Sequence, residues 1–218
     1  MSELSDQGFY LLADASRIAR VHQALVSAWS RAGIVTPTVE VATDDGRPER
    51  GYTFASVVYL RLLRMLREEH FSLEQAVRAL RSLEGRFGPP GGGWADARIV
   101  VDKRQLYAYR KDEWGTTVPT QGNQKIADPL FGAQFAAMRA RPDELLVPME
   151  FQRFVRIDPT VRGGAPVVIG TTIETGTIYR LSKRLRAVKR VHDYYPHVPE
   201  PKIAGAVRYE KFLDAQAA

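Results

Sequence analysis

The sequence predicts an α+β fold that is mainly α, and three observations predict it. Apolar residues recur at three- and four-residue spacing before residue 88 and again after residue 177. Alternation of apolar and polar residues, the mark of a half-buried strand, is confined to short stretches beside turn signals. Glycine and proline punctuate the chain between these stretches, and no internal repeat of roughly 20–50 residues organises it.

From Leu11 to Gly33 the pattern is two short helices. Leu12, Ala15 and Ile18–Ala19 share one face of the first, and Arg20-Val21 makes a tight connection. The second runs from His22 to Arg31, with Leu25, Val26 and Trp29 at helical spacing and Gly33 as its stop. Val39-Glu40-Val41 alternates as a strand does. With the Asp45-Gly46 turn signal it predicts a short hairpin, or wing.

Thr53 caps a helix reaching about His70, apolar on Phe54, Val57, Val58, Leu62, Met65 and Leu66. Arg61, Arg64 and Arg67 lie on its other face. Ser72 caps a further helix, with Gln75 at the capping-box position and Gly85 and Gly88-Pro89-Pro90 ending it. Ile99–Val101 and Leu106–Tyr109 predict a β-hairpin after the flexible Gly91-Gly92-Gly93. A helix is expected over Leu130–Ala140, and a β-rich stretch over Val155–Ile173. Three helices follow: Thr177 to Arg190, a second to about Tyr195, and a third from Pro201 to Asp214.

The 218 residues carry 31 Lys+Arg against 25 Asp+Glu, a net charge of +6. The excess is local: residues 151–218 hold 12 basic and 6 acidic side chains, and the preceding 150 residues balance. The chain has no cysteine, which excludes disulfides, thiolate metal sites and thiol nucleophiles. The four histidines show no metal-ligand spacing, and the glycine pairs lack the Lys-Ser/Thr of a phosphate loop. Neither a catalytic residue, a metal site nor a cofactor is expected. No apolar run approaches the roughly 20 residues of a membrane helix, and a cytoplasmic protein is expected.

The helix pair has the shape of a helix-turn-helix, whose second helix enters the DNA major groove. In that frame His22, Gln23 and Ser27 face base edges. Arg17 and Arg31, with Arg47 and Arg50 of the wing, face the phosphates. An ordinary helical hairpin is the competing reading. Tyr52–Arg67, Phe71–Leu80 and Trp29–Ile34 resemble corresponding stretches of MerR-type regulators over about residues 8–88. The resemblance implies a winged helix-turn-helix and binding to double-stranded operator DNA. Metal- and oxidant-sensing members use cysteines, so their sensing chemistry does not carry over.

Val155–Pro159, Gly163–Ile173, Asp193–Pro196 and Ile203–Glu210 resemble a small bacterial domain of unknown function found in VapB-type antitoxins. Two departures stand out. Thr172 replaces a usual arginine, and the glycine between the first two C-terminal helices is missing near Leu185-Arg186, so those helices could be continuous. The resemblance implies an antitoxin that neutralises a PIN-like ribonuclease toxin and represses its own promoter as a homodimer. The long helix from Thr53 is a candidate dimer element. The implied organisation is a MerR-like domain over 1–90, a β-hairpin and connecting region over 91–150, and a basic antitoxin-like helical domain over 151–218.

Independently of any resemblance, Arg180, Lys183, Arg184, Arg186, Lys189 and Arg190 fall together with no acidic residue among them. Such a run is either a solvated face or a surface for a polyanionic or acidic partner. Two other functions stay open: a stand-alone regulator with a small-molecule effector, and an interaction module with no DNA role.

Overall fold

The structure, a computed structural model, describes residues 8–42, 48–87, 97–102, 105–110 and 145–217. The predicted helix over 130–140 and the Asp45-Gly46 turn lie outside them.

The N-terminal segment builds β1 (Tyr10–Leu11), α1 (Leu12–Ala19), α2 (Gln23–Arg31), β2 (Val39–Ala42), β3 (Pro48–Tyr52), α3 (Phe54–Glu68) and α4 (Leu73–Phe87). The strands form an antiparallel sheet in the order β1-β3-β2. The wing was expected, but β1 was not. Two residues are too few for periodicity, and Tyr10 finds its partner only in the distant Tyr52.

Capping fixes the helix starts as the sequence predicts. Thr53 Oγ1 accepts from the Ser56 N–H at 3.2 Å. Ser72 and Gln75 close a reciprocal box: Ser72 Oγ accepts from Gln75 N, and Gln75 Oε1 from Ser72 N. Gly85 does not stop α4, which runs on to Phe87. One glycine lowers helix stability by only about 1 kcal/mol, less than the buried stripe of Ala76, Leu80 and Leu83 holds in place.

Strands β4 (Ala97–Asp102) and β5 (Gln105–Arg110) pair antiparallel as the predicted hairpin. In the C-terminal segment the expected β-rich stretch reduces to β6 (Val155–Arg156) and β7 (Val167–Val168), joined through a 3-10 turn at Arg162–Gly164. Asp158-Pro159 and Gly163-Gly164 interrupt the ladder before it can lengthen.

Helices α5 (Thr175–Leu185), α6 (Val188–Tyr194) and α7 (Glu200–Ala217) complete the chain. The expected single helix from Thr177 to Arg190 is broken. Arg186 takes the left-handed conformation (φ 57°, ψ 15°) and donates its N–H back to Ser182 O at 2.8 Å. The break turns α6 so that Val191 joins Ile178, Val198, Ile203 and Ala206 in one buried cluster. That burial offsets the roughly 1–2 kcal/mol of placing a non-glycine residue there.

The larger core runs without interruption from Tyr10 through α1–α4 to Leu146, Phe151, Phe154, Tyr209 and Leu213. Helix α7 therefore serves both clusters, giving Ile203, Ala206 and Val207 to one and Tyr209 and Leu213 to the other. Gly205 makes this approach possible, because a Cβ there would overlap the Phe154 ring.

Candidate nucleic-acid interface

The turn between α1 and α2 is set by Arg20, left-handed at φ 59° and ψ 38°. Its N–H reaches Arg17 O at 3.2 Å, and the Val21 N–H reaches Ser16 O at 2.9 Å. Val21 is buried, so the chain turns inward before α2 begins. His22 then caps α2, its Nδ1 accepting from the Ala24 N–H at 3.2 Å.

Helix α2 is held on its inner face and at its end. Val26 and Trp29 are buried. Ser30 Oγ lies 2.9 Å from the Tyr52 hydroxyl, which ties the helix to the wing strand β3. Gly33 at φ 67° ends the helix in a Schellman motif, with Gly33 N on Ser30 O and Ile34 N on Trp29 O. The outer face is left to solvent: His22, Gln23, Ala24, Leu25 and Arg31 are exposed, while Ser27 and Ala28 are half-buried.

The sequence-predicted DNA-facing residues therefore separate. His22, Gln23, Ser27 and Arg31 stand together on α2. Arg31 lies back along its own helix, its Nε donating to Ser27 O at 3.4 Å. Arg50 is half-buried on β3, and Arg47 lies outside the described residues. Arg17 is elsewhere. Its guanidinium pairs with Glu210 and with Asp214 (3.2 Å), across 193 residues of sequence to the first of them. The expected phosphate ligand is spent on an intramolecular joint.

That joint was not foreseen, and no local signal announces it. Glu210 is buried and also accepts from the Thr175 hydroxyl. Arg20 donates to Leu145 O at 3.1 Å and lies over the Phe212 ring. Tyr10 donates its hydroxyl to Gly164 O at 2.7 Å, and Phe9 N donates to Gly163 O at 2.9 Å. Desolvation holds the Tyr10 and Tyr209 hydroxyls well above the usual phenol range.

The arginines of α3 are engaged too. Arg64 pairs with Glu68 at 2.7 Å, and Arg67 caps the helix end through Phe71 O at 2.6 Å. Burial, with the nearby Arg20 charge, lowers the Arg61 guanidinium to about 9. Every large apolar residue of α3 except the half-buried Met65 is buried in the chain's own core.

The basic run is divided by the break at Arg186. Arg180, Lys183 and Arg184 lie on α5, Arg186 caps it, and Lys189 and Arg190 lie on α6. All six are exposed. Arg180 donates to Thr177 Oγ1 at 3.1 Å, and the Lys183 ammonium sits 4.2 Å from the Tyr179 ring centroid. Among the described residues no acidic or histidine cluster could hold a metal ion, and no helix is long and apolar enough to cross a membrane.

Comparison with known proteins bears on this geometry. The profile of the MerR HTH family of regulatory proteins matches residues 10–83. The crystal structure of Rv2018 from Mycobacterium tuberculosis is similar at a TM-score of 0.51 and 16% identity, over 91% of this chain and 96% of that one. At that identity the likeness speaks for the fold alone. No curated protein matches the chain. The matched stretch spans the helix pair, the wing, α3 and most of α4, so residues 10–83 form a MerR-like helix-turn-helix domain.

Proposed function

We propose that this chain regulates transcription by binding double-stranded operator DNA, with α2 in the major groove and the β2–β3 wing beside it. The observation that carries the reading is the exposed first turn of α2, held rigid from behind by Val26, Trp29 and the Ser30–Tyr52 hydrogen bond. A groove reader needs that arrangement, because base edges are read by the N-terminal residues of a fixed helix. Arg31, Arg47 and Arg50 supply phosphate contacts, and Gln23 and Ser27 supply polar contacts to bases. A homodimer binding two half-sites is the arrangement such readers usually adopt.

The test is binding of the full chain to the DNA upstream of its own gene, against a scrambled duplex, across a salt series. The upstream duplex should bind more tightly, and log K should fall linearly with log salt. Equal affinity for both duplexes, or a flat salt response, would refute the reading.

A second reading is favoured by one observation, the six exposed basic side chains between Arg180 and Arg190. They suit an acidic protein surface, such as the carboxylate-lined active site of a PIN-like ribonuclease toxin that the chain would neutralise as an antitoxin. Inhibition of such a nuclease, encoded beside this gene, would support it. Lys183→Glu with Arg184→Glu should abolish inhibition and leave thermal unfolding unchanged. Unimpaired inhibition would return the run to a solvated face.

A further inference from the structure

Single exposed apolar side chains are ordinary on a protein surface, but one on a proposed binding face bears on what that face contacts. Among the described residues Phe9, Leu25, Val39, Met149 and Tyr194 are exposed. Phe9 packs over Gly51 of β3, where a Cβ would overlap its ring. Met149 and Tyr194 belong to the C-terminal segment. Leu25 alone among them lies on α2, 49% exposed in its first turn.

Its neighbours sharpen the point. Ala24 is exposed, and the half-buried Ala28 lies one turn further on. The outer face of α2 therefore carries an aliphatic strip of Ala24, Leu25 and Ala28. Two polar atoms there are already engaged: His22 Nδ1 in capping, and the Arg31 Nε–H on Ser27 O. Gln23 is the exposed first-turn side chain left with a free donor and acceptor. In the major groove, base pairs offer hydrogen-bonding atoms at every position but a single kind of apolar group, the C5-methyl of thymine. Glutamine is in turn matched to the N6/N7 edge of adenine.

We infer that Leu25 is a specificity-determining residue that reads a thymine methyl group in each half-site, with Gln23 selecting an adjacent adenine. The inference rests on the DNA-binding reading above. It commits that reading to an A·T-containing contact under the first turn of α2.

The experiment selects a preferred duplex from a randomised pool with the full wild-type chain. Each thymine of that duplex is then replaced in turn by deoxyuridine, which removes the methyl and keeps the hydrogen-bonding edge. At one thymine per half-site, wild type should lose roughly fourfold in affinity, the value of one buried methyl-sized group. Leu25→Ala should bind the thymine duplex about fourfold more weakly and should not distinguish it from the uracil duplex. Leu25 is 49% exposed and outside both buried clusters, and an unchanged unfolding temperature of the variant verifies its fold.

If wild type selects a sequence but no thymine-to-uracil change alters affinity by twofold, the inference is overturned and the DNA reading survives. The same holds if Leu25→Ala still prefers thymine over uracil. If wild type selects no sequence at all, the DNA reading fails first and the inference with it.

Discussion

Removing Arg17 should cost the protein stability without costing it a DNA contact. In Arg17→Met the Glu210 carboxylate, its side chain 4% exposed, keeps only the Thr175 hydroxyl and stays buried. Deleting one partner of a buried pair typically costs 3–5 kcal/mol, because the other charge is stranded. The Arg17 side chain is 26% exposed and its second partner Asp214 is 46% exposed, so solvent compensates part of the loss. About 3 kcal/mol is the expected cost. In a chain of this length that lowers the unfolding midpoint by about 6–12 °C.

Glu210→Gln keeps an acceptor for Thr175 and leaves Arg17 its contact with Asp214, so its cost should be about 1–2 kcal/mol. The double variant should cost less than the sum of the two, by at least about 1 kcal/mol. Urea unfolding of the four proteins measures this coupling. The DNA arm uses the salt slope of binding, which should be the same for wild type and Arg17→Met. A loss below about 1 kcal/mol with additive singles would remove the joint from the account. A slope shallower by about 0.9 per protomer, about 1.8 for two half-sites, would make Arg17 a phosphate ligand after all.

Three further outcomes follow from the packing. Gly164 has φ 87°, and a Cβ there would overlap the Tyr10 hydroxyl. Gly164→Ala should therefore cost at least about 2–3 kcal/mol, while Gly163→Ala, left-handed in open space, should cost about 1 kcal/mol; equal costs in urea unfolding would refute the overlap. Arg61 is largely buried, its side chain 12% exposed and its nearest carboxylate, on Glu68, at 3.9 Å. Arg61→Met should be neutral or more stable by up to about 2 kcal/mol, and a destabilisation of that size would show that the guanidinium is well compensated. Burial raises the Tyr59 hydroxyl to about 12, and raises Tyr10 and Tyr209 further. Their folded values exceed the unfolded value near about 10, so their contribution is complete below that pH and is lost as pH rises through 10 towards 12. Thermal stability should therefore fall over that window, and an unfolding midpoint unchanged from about pH 9 to about pH 12 would contradict this.

What the sequence reveals is what short stretches decide by themselves. The helix pair, the Ser72–Gln75 box, the Thr53 cap and the Gly33 stop are local agreements between propensity and capping, and each is found in place. The exposed turn of α2 is legible in part: Val26 and Trp29 mark its inner face, but Leu25, grouped with them by spacing in the sequence, is exposed. The rest depends on distant partners. Tyr10 needs Tyr52 to become a strand, and Arg17 needs Glu210. An arginine on a short amphipathic helix looks the same whether it faces phosphate or a carboxylate 193 residues away. The break at Arg186 is equally hidden. Nothing in the residue itself favours a left-handed turn, and the tertiary burial of Ile178 and Val191 imposes it. Helix α7 shows little one-sided patterning because two cores take residues from different faces of it.

The allocation of charge links the two functional readings. On the DNA-binding proposal, with Arg17 held in the joint, the phosphate contacts left to the helix pair and wing are those proposed for Arg31, Arg47 and Arg50. Three phosphate contacts give a salt slope of about −2.7 per protomer, and about −5 for two half-sites. Non-specific attraction of that size is moderate, so the proposal assigns discrimination to Gln23, Leu25 and Ser27 at the base edges. The run from Arg180 to Arg190 would add up to six contacts per protomer if it also lay on DNA, steepening the slope by about 5 for each. A slope near −5 for the dimer would therefore keep that run off DNA, leaving its six exposed charges to solvent or to an acidic protein surface, the two outcomes that nuclease inhibition separates.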